Sequence, residues 1–257
     1  MLLRSVIEHV KAQNWLAITI DFLIVVIGVF VGIQVSNWND DRIARAAAVE
    51  FHGRLVEDLR LEAINYNSIQ DYYRDVRAAA EATYADLDGE RRLSDPELLV
   101  NAFRATQYTW FERYRSTFDE LVSSGNLDLI TDARLRTTAS GFYATELLSD
   151  LAHDGRTSQF RVAFRMLMSP DIQQALEEQC GDRPVPGAPN GVAMLSYDCS
   201  FEWQTADIQR SAAALRAEAS LLPLLRLRIT ELRGTDSVLD LNRNAFGLDT
   251  YAQQAAD

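Results

Sequence analysis

The side chains of this 257-residue chain that could do chemistry are scattered. Its three histidines, His9, His52 and His153, fall in three different segments, and none stands at metal-ligand spacing from another. No P-loop, no G-x-G-x-x-G and no G-x-S-x-G nucleophile turn occurs. Adjacent acids such as Asp40-Asp41 and Glu177-Glu178 are of the kind that coat solvated helix faces. The two cysteines, Cys180 and Cys199, flank a Pro/Gly-rich stretch. A bridge between them would close a loop of about 19 residues, worth on the order of 3 kcal/mol, and would persist in an oxidising compartment. Two free thiols in a reducing compartment are the alternative. A structural pair leaves no thiol for a Cys/His nucleophile. These residues predict no catalytic group, no metal ligand set and no cofactor, so the expectation is a protein that is not an enzyme. The aromatics Tyr108, Trp110, Phe111, Tyr114 and Phe118 could line a ligand pocket, although core packing is the commoner use of such a cluster.

One ionisable residue stands in an unusual place. Asp21 lies near the start of the stretch from Trp15 to Trp38, which carries no polar side chain between Phe22 and Ile33. As a helix this stretch is about 36 Å long, enough to cross a hydrocarbon core of roughly 30 Å. A tryptophan sits at each end, at headgroup level. Gly28 and Gly32 form a G-x-x-x-G that lets two helices approach closely. At about 100° per residue, Asp21, Gly28 and Gly32 fall within roughly 40° of arc. An acid inside a span is expensive and usually faces protein, which predicts a self-associating face with Asp21 as polar glue or as an ion site. The alternative is that Asp21 snorkels to the interface and the glycines are incidental.

The elements that position these residues read as helices throughout. Residues 1–14 place Leu3, Val6, Ile7 and Val10 on one face, as a short cytoplasmic or interfacial segment. Residues 15–38 are the transmembrane helix. The only small-x-small triplet nearby, Ala44-Arg45-Ala46, lies well beyond the apolar run, so an uncleaved anchor is expected. The helix should continue outward: Leu55, Leu59, Tyr66, Ile69, Tyr73, Val76 and Ala80 form a seam with Glu62 as its one misfit, ending near Asp88-Gly89. Cap signals at Ser94-Asp95-Pro96-Glu97, Thr117, Thr131-Asp132 and Ser169-Pro170 start further helices. The helix after Asp132 is expected to run through Leu151 and break at Asp154-Gly155. Residues 181–200 are a loop, the final helix should kink at Pro223 and stop at Gly234, and residues 235–257 should form a loosely docked tail. The fold class is all-α: one N-terminal transmembrane helix continuing into an antiparallel helical bundle over residues 39–234.

A net charge of -12 argues against nucleic acid as a partner and against docking of the helical part on an anionic membrane surface. Basic residues on the two flanks of the span nearly balance, Arg4 and Lys11 against Arg42, Arg45 and Arg54. The cysteine pair tips the expectation to an N-terminus inside and a domain outside, in the periplasm of a bacterium, on the inner membrane.

The residues Val25-Val26-Ile27-Gly28, then Gln34, then Asn37-Trp38-Asn39-Asp40 and Arg42 together resemble the signature of a bacterial family of single-pass membrane proteins, a domain of unknown function. The segment from Phe118 to Leu127, with Leu129-Ile130, is similar to that family's other recurring block. The Cys-flanked loop departs from it. The resemblance implies the membrane anchor and the helical fold, and it carries no activity. Gln34, Asn37, Trp38 and Asn39 stand where the span meets headgroups, so their amides can bond lipid phosphates, water or a neighbouring copy. The expected role is a non-catalytic, membrane-anchored interaction or sensory module. Its partners would be the lipid bilayer, further copies of itself through the span, and an envelope protein. The competing expectation is an ion-coupled channel or stator-like subunit using Asp21, since Ile20-Asp21-Phe22 is similar to the start of the membrane helix in stator proteins of ion-driven motors.

Overall fold

The computed structural model describes residues 15–186 and 192–253, so the expectation for residues 1–14 and the tip of the 181–200 loop lie outside the described residues. Of the described residues 78% are helix and 2% strand, which makes the chain all-α. It divides into two compact units, residues 1–53 with 128–131, and residues 54–127 with 132–257.

The first unit holds the start of α1 (Trp15–Leu87). Among the described residues this is the one helix long and apolar enough to cross a membrane. Every side chain from Phe22 to Asp40 is exposed.

The second unit opens with the remainder of the same helix, where the first fully buried position is Leu55. Leu55, Leu59, Tyr66, Ile69, Tyr73, Val76 and Ala80 are all buried, as their spacing requires. Gly89 takes φ +82 just beyond the helix, a conformation a side chain would resist. The next helix, α2 (Asp95–Ala105), is held by a complete capping box between Ser94 and Glu97. α3 (Ser116–Ser123) has no side-chain cap of its own; the amide of Thr117 donates to Asp58 of α1 at 3.1 Å instead.

Two expectations about the helix led by Asp132 are corrected. The helix led by Asp132 is two helices, α4 (Ala133–Ala144) and α5 (Leu147–Thr157). The guanidinium of Arg113 takes the carbonyls of Phe142 and Thr145, and the Thr145 hydroxyl accepts the amide of Leu147, so the break at residue 145 is satisfied from outside. Gly155 does not end α5: a Cβ there would stand 2.4 Å from Cβ of Tyr108, so glycine permits a close approach within a continuing helix. The chain turns at Ser158 into α6 (Gln159–Leu167), and Ser169 caps α7 (Pro170–Cys180). Cys180 and Cys199 are joined as a disulfide, and β1 (Arg183–Pro184) pairs antiparallel with β2 (Ala193–Met194) inside the loop it closes.

At the C-terminal end, α8 (Thr205–Ala217) stops before Pro223, which sits in the first turn of α9 (Leu221–Phe246), where a missing N–H costs no helical bond. α9 runs straight through Gly234 and ends at Gly247, φ +60, ahead of α10 (Leu248–Gln253). Residues 235–253 are therefore no loose tail. Leu239 and Leu248 are buried, Tyr66 Oη donates to the carbonyl of Leu239 at 3.3 Å, and Gln70 Nε2 donates to Asp240 at 2.5 Å. A glycine inside a helix costs about 1 kcal/mol, less than burying those leucines returns.

Candidate functional site

Asp21, Gly28 and Gly32 lie exposed on α1, and a Cβ added at either glycine meets nothing within 4 Å. Gln34, Asn37, Trp38 and Asn39 follow them, also exposed. The aromatic cluster divides. Phe111 is buried, Phe118 stacks on Tyr143 at 4.9 Å, and Tyr108 lies under the guanidinium of Arg161 at 4.8 Å. Trp110 stands 61% exposed between two clefts and lines both.

Glu62, the misfit of the seam, is a wholly buried carboxylate. Its Oε1 accepts the amide of Tyr114 at 2.5 Å and its Oε2 accepts Nε of Arg113 at 3.4 Å. Burial lifts its carboxyl to about 7, against the pull of Arg113 and the Tyr114 amide. Four residues earlier on the same helix face, Asp58 accepts the amide of Thr117. Two acids of α1 thus hold Tyr114 of the irregular segment before Ser116 and Thr117 in the first turn of α3. Arg113 lies 4.4 Å over the ring of Phe142, and Tyr143 Oη donates to the carbonyl of Tyr114 at 2.6 Å. Arg113 and Tyr143 line the larger cleft, about 1030 Å³, together with Arg115, Glu146, His153 and Arg156.

The second cleft, about 540 Å³, is built around the C-terminal end of α2. The carbonyls there have no helical partner, and two buried arginines supply donors. Arg161 of α6 reaches Thr106 O at 2.7 Å; Arg228 of α9 reaches Ala105 O at 3.3 Å and Gln107 O at 3.0 Å. Cations at a helix C-terminus also meet the negative end of its dipole. Burial lowers the proton affinity of both guanidiniums, with Arg165 adding to the effect on Arg161. Asp182 lines the same cleft and accepts Tyr72 Oη at 2.8 Å, and burial together with Glu177 lifts its carboxyl to about 6.

Sequence reasoning did not single out Glu62, Arg113, Arg161 or Arg228 as site residues. Two left a signal: Glu62 interrupts an apolar seam, and Arg228 stands three residues after Leu225 and four before Leu232, on a face that is otherwise apolar. Among the described residues no three His, Cys, Asp or Glu side chains converge as a metal site would require. No family model matches the sequence, and no curated protein or solved structure matches it.

Proposed function

We propose that the chain is a membrane-anchored, non-catalytic helical module for interaction or sensing, whose helical part is an antiparallel bundle on the periplasmic side of a bacterial inner membrane. The observation that carries this reading is the unbroken exposure of apolar side chains from Phe22 to Ile33. An apolar surface of that length calls for hydrocarbon rather than water around it. The Cys180–Cys199 bridge supports placement of residues 54–253 in an oxidising compartment, with the N-terminus cytoplasmic. The open face of Asp21, Gly28 and Gly32 supports self-association through the span. Trp110, standing out between two clefts, supports an envelope protein as a further partner. The likeness of the Val25–Gly28 and Asn37–Arg42 segments to a bacterial single-pass family supports the anchor and adds no activity.

Thiol labelling in intact and permeabilised cells, with and without prior reduction, tests this reading. Labelling of Cys180 and Cys199 in intact cells only after reduction is expected. Free labelling confined to permeabilised cells would place the domain in the cytoplasm and refute the topology. A second reading, a channel or stator-like subunit, is favoured by the position of Asp21 in the apolar stretch. Asp21→Asn separates the two: a motor subunit loses function with assembly intact, whereas a module glued through polar contacts keeps its function.

A further inference from the structure

The smaller cleft holds five charged side chains, Arg161, Arg165, Arg183, Glu177 and Asp182. Among the described residues none of the five forms an ion pair. That is unusual company for Arg161, which is only 9% exposed and uses one nitrogen, Nη1, for its single hydrogen bond. The Tyr108 ring lies against the Arg161 guanidinium and Glu177 attracts it from beyond ion-pair distance, while the neighbouring Arg165 repels it, so a contact partner is still missing. The cleft therefore has an unmet demand for an anion. It also has an unmet demand for a cation, because Glu177 and Asp182 face the same space. A phosphate or a dicarboxylate would meet two like charges there, and a simple amine would meet three. A ligand with one charge of each sign satisfies both demands through charge-assisted hydrogen bonds.

We propose that this cleft binds an α-amino acid as its zwitterion, with the carboxylate on Arg161 and Arg165 and the ammonium on Glu177 and Asp182. Tyr108 and Trp110, at the same cleft, offer rings against which its side chain can pack. A volume of about 540 Å³ lies within the range of small-molecule sites. The cleft belongs wholly to the helical unit, so this binding does not depend on whether the span self-associates.

The test is isothermal titration calorimetry of the full chain in detergent, using each protein amino acid in turn, with succinate and inorganic phosphate as comparators. Saturable binding of at least one amino acid, at one per chain, is expected, and its methyl ester and its N-acetyl form should each bind at least about tenfold more weakly. Arg165→Ala and Glu177→Gln, both at exposed positions, should weaken it by a similar factor without moving the melting temperature. Arg161→Lys, which keeps the charge but not the fork, should weaken it too. The proposal is overturned if no amino acid binds to the folded chain. It is also overturned if succinate or phosphate binds as tightly as the best amino acid, or if Arg165→Ala and Glu177→Gln leave the affinity unchanged.

Discussion

Along α1 the same residue types meet two different surroundings. From Phe22 to Ile33 the helix carries valine, isoleucine, leucine and phenylalanine on every side, all exposed among the described residues. From Leu55 to Ala80 a stripe of apolar residues is buried, Val56, Leu61 and Ile64 are half-buried beside it, and acids on the same helix are put to use. Asp58 and Glu62 accept backbone amides of a distant segment, and Asp86 accepts the amide of Leu93 while gripping Arg216. The contrast teaches that helix formation is common to both stretches, whereas what stabilises each is not. The first is specified by composition and suits hydrocarbon. The second is specified by pattern, and its polar interruptions carry tertiary information.

Substitutions can break that contrast. The largest effect is expected at Glu62. Glu62→Ala leaves Nε of Arg113 and the Tyr114 amide without their acceptor and Arg113 without its counter-charge, at a cost of about 3–5 kcal/mol, read as a fall in the urea midpoint of the full chain in detergent. Leu59→Ala, at a wholly buried position, should cost about 3 kcal/mol by the same measurement. Replacing both Cys180 and Cys199 by serine should cost about 2–3 kcal/mol, the entropy of opening the loop they close; a double variant that melts like the parent would contradict this.

A smaller effect sharpens the comparison through pH. The Glu62 carboxyl is lifted from 4.5 to about 7, so the folded chain keeps a proton that the unfolded chain gives up. Its contribution is fully present below about pH 4.5 and is lost as the pH rises towards about 7. Unfolding midpoints should fall across that window in the parent and stay flatter in Glu62→Gln. The smallest effect belongs to the first stretch: Ile24→Ala should leave the unfolding of the helical unit within about 0.5 kcal/mol of the parent. A loss like that of Leu59→Ala would mean that Ile24 is buried against the domain.

Three helix starts were legible because capping is local. Ser94 with Glu97, Asp132 and Ser169 each satisfy amides two or three residues away, so the signal lies within a few letters. Helix ends were less legible. The break at Thr145 depends on a guanidinium from residue 113, and the passage through Gly155 depends on the backbone near Tyr108. The site followed the same rule. Glu62 was visible as a misfit, but its partners lie 51 and 52 residues away. Arg161 and Arg228 cap one helix from two others, at separations of 55 to 123 residues.

Sequence alone was enough to show that α1 begins with a stretch able to cross a membrane, that the remainder is helical, and where the side-chain-capped helices α2, α4 and α7 start. Each of those follows from interactions within one or two turns, or from the bulk preference of side chains for hydrocarbon. Tertiary structure alone decided that α9 continues past Gly234, that Glu62 holds the segment before α3, and that five unpaired charges share one cleft. Those outcomes depend on groups far apart in the chain being desolvated together, which raises the energy of every unmade hydrogen bond and ion pair. No local pattern records which distant partner will meet that demand.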